Sequence, residues 1–334
     1  MATHLVIGGG IAATRAAETI RALAPEDTIV LVAEEERPFY MRPLLADFVA
    51  GRTEQSRLWR DFESVAASKN ITLITGAKAT AIDRSSRTLR LDGGRQVSYD
   101  KLLVATGVKP ALPDIPGAAL SGVTTFSCYA DAIRLDKWAA TANTAVVVGR
   151  GLQGVELTRA LRLRGLDVTM IVPDQSPWFP ALFQLKGEMV EQALTQHGVN
   201  IIPLDSPTEL LGDGNHVVGV KTREGRQLKA EIVGFALDQK ASLDFLVGSG
   251  VSLADGVVVD GRLMSTDEHI YAAGDAAQIE LDGNRRPIGY GWLRALSQGE
   301  VAARNMCGQE VTVDVGDESE AQALYGMGLL ARWD

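Results

Sequence analysis

Cysteine is scarce in this chain. Only Cys128 and Cys307 occur among 334 residues, far apart and in no CxxC pair. That excludes a disulfide scaffold and fits a reducing, cytoplasmic setting. Both thiols are expected to be small buried hydrophobes more often than nucleophiles. Long apolar runs are missing too, since none approaches the ~20 residues that a membrane span requires. No signal-peptide pattern is read, because a Gly-rich turn already begins at residue 8. Basic charge is in deficit: 33 Lys and Arg against 42 Asp and Glu leave a net charge of −9. With no basic stripe to neutralise phosphates, nucleic-acid binding is not expected. The four histidines, His4, His197, His216 and His269, show no metal-ligand spacing, so no metal is expected.

What is present is an ordinary globular composition, 46% apolar and 22% charged, with a length that suggests two domains. Residues 4–8, HLVIG, read as a buried parallel strand, followed by a GGG turn and a helix from about Ile11 to Leu23. Residues 28–32, TIVLV, form the next strand and Glu34–Glu36 close it, completing a βαβ unit. Gly8, Gly10 and Ala13 fit GxGxxG/A in that context: a tight turn, a close backbone approach to a pyrophosphate, and close helix–strand packing. The helix N-terminus then faces the phosphates. Glu34 is placed to accept hydrogen bonds from the adenosine ribose.

A second unit opens at Thr144 with AVVVG, the turn GRGLQG at 149–154, a helix from Val155 to Arg164, and LDVTMIV. Its phosphate-facing glycines are Gly149, Gly151 and Gly154. A third motif, YAAGD at 271–275, brings Gly274 for close approach and Asp275 to accept from a ribityl chain. A helix from about Leu293 to Met306 would aim its positive end at the flavin pyrimidine, and Trp292 is either core or flavin-adjacent. Residues 71–104 read as a small antiparallel meander, 112–117 (LPDIPG) as a linker, and 199–237 as further strands. The order of the three motifs points to FAD held by the first and third, with the second dinucleotide domain inserted between them.

These motifs, with FYMRPLL at 39–45, YDKLLVATG at 99–107 and WLRALSQGEVAARNM at 292–306, resemble the FAD/NAD(P)-linked pyridine nucleotide-disulfide oxidoreductase superfamily. The resemblance covers about residues 1–310 and is nearest to the ferredoxin, rubredoxin and nitrite reductase-like branch. It implies an α/β fold of two Rossmann-like, three-layer ββα domains. The FAD domain would comprise 1–112 and 256–312, the NAD(P)-type domain 113–255, and a short tail 313–334. It implies that Arg42 binds FAD, that Pro43 lines the flavin, and that Ala105, Thr106 and Gly107 pass close to it. Gly149, Gly151 and Gly154 would hold NAD(P), and Glu156 would sit by the nicotinamide as the catalytic candidate. Hydride would pass from NAD(P)H to flavin N5, and electrons would leave to an acceptor, an electron-carrier protein or a partner subunit.

Several residues depart from that pattern. With no cysteine near Arg42, disulfide reductase chemistry is excluded. The branch's lysine shortly after Arg-Pro is replaced by Asp47, so its lysine–glutamate pair with Glu156 is not kept. The strand VTMIV ends at Val172 where an acid would bind the NAD ribose, Asp174 follows two residues later, Arg150 replaces a small residue, and Asp238 replaces a glycine. The third domain that covers one flavin face in relatives is expected to be missing or reduced, since 311–334 are too few residues to form one. WFPALF at 178–183 reads as a packed loop or an exposed lip. A flavoprotein subunit of a hetero-oligomeric dehydrogenase, and a non-catalytic FAD-binding protein, are the two alternatives. Homo- or hetero-oligomers fit either.

Overall fold

A computed structural model describes residues 1–37, 39–173, 187–237, 239–286 and 291–314. Asp174, WFPALF, Asp238 and the tail from 315 lie outside the described residues. The chain divides into two compact units. A terminal unit contains Met1–Tyr40, Trp59–Lys109 and the described residues from Lys240 onward, and a central unit contains Met41–Leu58 and Pro110–Gln239.

Along the chain the terminal unit begins with β1 (Thr3–Ile7), α1 (Ile11–Leu23) and β2 (Thr28–Ala33). The chain then departs for the central unit, where it forms a 3-10 turn at Arg42–Leu44 and α2 (Leu45–Val49). Its exit and return are clipped by a bridge between Tyr40 and Trp59, whose rings meet edge to face at 6.1 Å. Next come α3 (Phe62–Ser68), β3 (Ile71–Thr75) and β4 (Lys101–Val104). The central unit follows with β5 (Val123–Thr125), α4 (Tyr129–Ala139), β6 (Thr144–Val148), α5 (Leu152–Leu163), β7 (Asp167–Val172), α6 (Gly187–Gln196), β8 (Asn200–Pro203) and β9 (Ile232–Phe235). The chain closes the terminal unit with β10 (Ile270–Ala272) and α7 (Trp292–Met306).

Each unit is built on a five-stranded parallel sheet. The terminal order is β10-β4-β1-β2-β3 and the central order is β5-β9-β6-β7-β8. Four strands correspond in order, β4-β1-β2-β3 and β9-β6-β7-β8, so the internal duplication extends beyond the two Gly-rich turns; the fifth strand comes last in the chain in the terminal unit (β10) and first in the central one (β5). The central strands are continuous apolar runs: Leu5, Val6, Leu102, Leu103 and Val104 are fully buried in one sheet, Val146, Val147 and Val148 in the other. Strands covered on both faces require that pattern. Each such side chain contributes about 1.5–3 kcal/mol of burial. On α1 the buried residues are Ile11, Ala12, Ala13, Thr14, Ala16, Ala17 and Ile20, and the four alanines among them let another helix approach closely.

Residues 71–104 are not a single meander. Only Ala79–Asp83, Thr88–Leu91 and Gln96–Ser98 form the antiparallel sheet, while β3 and β4 pair in parallel with β2 and β1. The central unit carries its own three-stranded antiparallel sheet at Pro207–Asp213, His216–Thr222 and Gln227–Lys229. Against the domain limits read from sequence, residues 41–58 fall in the central unit and 240–255 in the terminal one.

Candidate functional site

The two Gly-rich turns have the same construction. Gly8 has φ +133, and a Cβ there would stand 2.1 Å from the Ala105 carbonyl oxygen. Gly149 has φ +118, and its Cβ would stand 2.1 Å from the Ala236 carbonyl oxygen. In each turn the first glycine donates its N–H to the neighbouring strand, Gly8 to Val32 at 2.7 Å and Gly149 to Ile171 at 3.0 Å. The partner segments are anchored alike, with Ala105 N–H on Ile7 and Ala236 N–H on Val148, both at 2.8 Å. The first glycine is therefore required by backbone sterics, because no other residue tolerates both that φ and that neighbour.

The second glycine serves something else. A Cβ on Gly10 or Gly151 would meet nothing within 4 Å. Both residues are extended N-caps, of α1 and α5, with no side chain closing the cap. The first amides of each helix have no side-chain cap and the helix dipole stands behind them, an arrangement suited to phosphate. The third position differs between the turns. Ala13 is fully buried in the first, whereas a Cβ on Gly154 would stand 2.4 Å from the Gly149 carbonyl, so only glycine fits the second.

In the terminal unit the third motif converges on the first. Gly274, at φ +69, lies against α1 and α7: its Cβ would be 3.3 Å from Ala12 Cβ and 3.4 Å from Ala295 Cβ. A Cβ on Gly299 would stand 2.3 Å from the Ala12 carbonyl, so α7 crosses the first turn of α1 at backbone contact. Asp275 is half-buried in the 3-10 turn Gly274–Ala276, and half-buried Trp292 opens α7. The Thr106 hydroxyl and the Gln298 amide nitrogen are buried without a hydrogen-bond partner. Burial of such groups is costly unless an acceptor or donor arrives from outside the protein. Open space at the Gly10 Cβ position and two orphaned polar groups in the same unit fit a dinucleotide there.

Other candidate residues have partners that local sequence does not reveal. Glu34, at the end of β2, is bonded by the Lys109 ammonium. Arg42 and Pro43 belong to the central unit, where the Arg42 guanidinium donates to the Ser127 carbonyl. They are therefore grouped apart from Gly8, Gly10, Ala13, Glu34, Ala105–Gly107 and Asp275 in the division of the chain. Gly107 has φ +64, as an ATG turn requires. Asp47 pairs with Arg159 at 3.0 Å, so the acid in the lysine's place receives a cation from α5. Glu156 is half-buried on the same helix, one turn earlier, and Arg150 is half-buried in the turn. Gln153, in the first turn of α5, accepts from the Gln239 side-chain amide. Val172 ends β7 and is buried. Cys128 and Cys307 are both half-buried. Among the described residues no three His, Cys, Asp or Glu side chains are grouped to hold a metal, and no helix is long and apolar enough to cross a membrane.

Residues 2–299 match the pyridine nucleotide-disulphide oxidoreductase family, and the chain belongs to it. It is 29% identical over 308 residues to the nitrite reductase [NAD(P)H] of Bacillus subtilis, covering 92% of this chain and 37% of that protein. It is 29% identical over 280 residues to the rhodocoxin reductase of Rhodococcus erythropolis, covering 84% of this chain and 66% of the relative. The chain thus spans between about two fifths and two thirds of the length of these curated relatives. A ferredoxin reductase from Rhodopseudomonas palustris has the same fold, with TM-score 0.86 at 24% identity over 94% of this chain and 78% of that structure. The fold is that of two Rossmann-type domains.

Proposed function

We propose that this chain is an FAD-dependent oxidoreductase that oxidises NAD(P)H and passes electrons to an acceptor, an electron-carrier protein, in the cytoplasm. The observation that carries the reading is the duplicated turn: Gly8 against Ala105 and Gly149 against Ala236, each followed by an uncapped helix N-terminus. Two dinucleotides are needed to employ two such turns. The YAAGD motif, found only with the first, assigns FAD to the terminal unit and NAD(P)H to the central one.

In this reading Gly10 and the first amides of α1 receive the FAD pyrophosphate, Glu34 the adenosine ribose and Asp275 the ribityl chain. Ala13, Ala105, Thr106, Gly107 and Gly274 shape the groove. Trp292 starts the helix whose positive end faces the flavin, and the family resemblance assigns Arg42 and Pro43 to FAD as well. Gly149, Gly151 and Gly154 receive the nicotinamide dinucleotide, and Glu156 sits beside the nicotinamide. Bound flavin supplies the redox chemistry, and the chain's own residues position and tune it. The names of the relatives support the acceptor class: one is a nitrite reductase using NAD(P)H and another a rhodocoxin reductase.

A second reading, a flavoprotein subunit whose electrons come from a partner's substrate site, is favoured by buried Val172, which ends β7 where an NAD site carries a ribose-binding acid. One experiment separates the two. The FAD-loaded protein is titrated anaerobically with NADH, then NADPH, following flavin absorbance. Stoichiometric bleaching at micromolar nucleotide supports the first reading. Bleaching by dithionite alone overturns it for the isolated chain and leaves the second.

A further inference from the structure

We propose that Gln298 is a positioning residue of the flavin site, joining the Gly274–Asp275 turn to the bound cofactor by its two amide ends. The inference rests on the reading of the terminal unit as the FAD domain.

Gln298 is fully buried on α7. Its Oε1 accepts the Gly274 N–H at 2.9 Å. That bond fixes the orientation of the amide, because the opposite flip would set donor against donor. The Nε2 group is thereby pointed away from Gly274, and it is buried with no acceptor. Gly274 needs the bond, since its left-handed φ of +69 takes its N–H out of any strand or helix ladder.

The surroundings of Gln298 are closely packed. Its neighbour Gly299 presses on the Ala12 carbonyl, and Gly274 packs between Ala12 and Ala295. The first turn of α1, the Gly-Asp turn and α7 therefore meet around this one amide. Those are the elements that receive the pyrophosphate and the ribityl chain in the proposed site. A buried amide donor is expensive to leave unmet and is retained where a ligand meets it. The acceptor is an oxygen that arrives with FAD, on the cofactor or on a water that it traps. Gln298 thus holds the turn in the apoprotein and closes on the cofactor in the holoprotein.

The test uses apoprotein titrated with FAD by flavin fluorescence, with Gln298→Met and Gln298→Glu beside the wild type. Methionine matches the volume but makes neither bond. Its FAD dissociation constant should rise at least about tenfold, roughly the worth of one buried hydrogen bond. Glutamate keeps the acceptor for Gly274 and donates only when protonated. Its FAD affinity should therefore fall as pH rises from 6 to 9, over a range where the wild type is flat. A structural role alone would not produce that profile. Gln298→Met within threefold of wild type overturns the proposal. So does a flat profile for Gln298→Glu, which decides the matter if Gln298→Met does not fold. A wild type that binds no FAD refutes the flavoprotein reading itself, and is thereby distinguishable from a failure at Gln298.

Discussion

Asp47 on α2 and Arg159 on α5 form an ion pair, Oδ1 to Nη1 at 3.0 Å, inside the central unit. Arg159 is only 3% exposed and Asp47 25%. The residues that follow Arg-Pro in this chain thus present an acid to a buried cation, the reverse of the lysine–glutamate pairing implied by the family resemblance. The pair ties α2, and with it Arg42 and Pro43, to the helix that carries Glu156. Removing one partner deprives the other of this ion pair: Asp47→Asn should cost about 1–3 kcal/mol, and Asp47→Lys more, because it sets a second cation against the buried guanidinium. Urea unfolding of Asp47→Asn, of Arg159→Met and of the double variant Asp47→Asn/Arg159→Met measures the coupling. A coupling energy near zero would refute this role for the pair.

The pair also marks where sequence reading stops. The backbone turns at Gly8, Gly10, Gly149 and Gly151 were legible because turn geometry and helix N-termini are local constraints that impose residue type at fixed spacing. Partnerships across the fold left no such trace: Arg159 with Asp47, Lys109 with Glu34, and Gln298 with Gly274 join residues far apart in the chain. The misreading of 71–104 has a similar cause. β3 lies at a sheet edge with Ile71 and Ile74 buried and Thr72 and Thr75 exposed, a pattern that a half-covered antiparallel strand shares. The excursion of residues 41–58 into the central unit was equally invisible, since the EEERP run at 34–38 before Tyr40 reads as the loop that closes the βαβ unit.

Glu300 links the two helices that frame the proposed flavin groove. Its carboxylate accepts from Arg15 on α1 and from Arg304 on its own helix. The hydrogen bond from Arg15, with help from Arg304, holds its pKa below the ordinary 4.5. A depressed carboxyl stabilises the fold above its unfolded pKa, and that contribution is lost as pH falls through the folded value. Glu300→Gln should therefore cost up to about 1 kcal/mol at neutral pH, the worth of a partly exposed pair. Its deficit against wild type should shrink below about pH 4.5. Urea midpoints at pH 7, 5 and 4 read the difference; a constant deficit across that range would contradict it.

Cys307 follows the last turn of α7, half-buried. Burial, aided by the negative charge of Asp27, pushes its thiol up to about 11. At pH 8 almost none of it is thiolate, and the thiolate is the reactive form. Iodoacetamide at that pH should leave Cys307 in the native protein unmodified over a time that fully labels the urea-unfolded chain, as followed by peptide mass spectrometry. Cys307→Ala should leave reduction of the bound flavin by nucleotide unchanged. Rapid native labelling, or loss of flavin reduction in the variant, would return a thiol to the chemistry of this chain.

The two Gly-rich turns allow structure and ligand binding to be separated by single methyl groups. At Gly8 and Gly149 an added Cβ meets a carbonyl oxygen at 2.1 Å in a backbone conformation that alanine resists. Gly8→Ala and Gly149→Ala should each cost at least roughly 2–4 kcal/mol and lower the unfolding midpoint of their own unit. At Gly10 and Gly151 the backbone is extended and the Cβ would enter open space. Gly10→Ala and Gly151→Ala should stay within about 1 kcal/mol of wild type in stability, since nothing in the protein is displaced. Their losses should fall on ligands, and on different ones. Gly10→Ala should weaken FAD binding by about tenfold or more, the cost of one phosphate contact of about 1.4 kcal/mol. Gly151→Ala should keep its flavin and lose bleaching by NADH or NADPH, because the methyl group stands where the second pyrophosphate approaches α5. If Gly151→Ala binds FAD and is bleached like the wild type, the second turn holds no dinucleotide, and the duplicated sheet beneath it is scaffold alone.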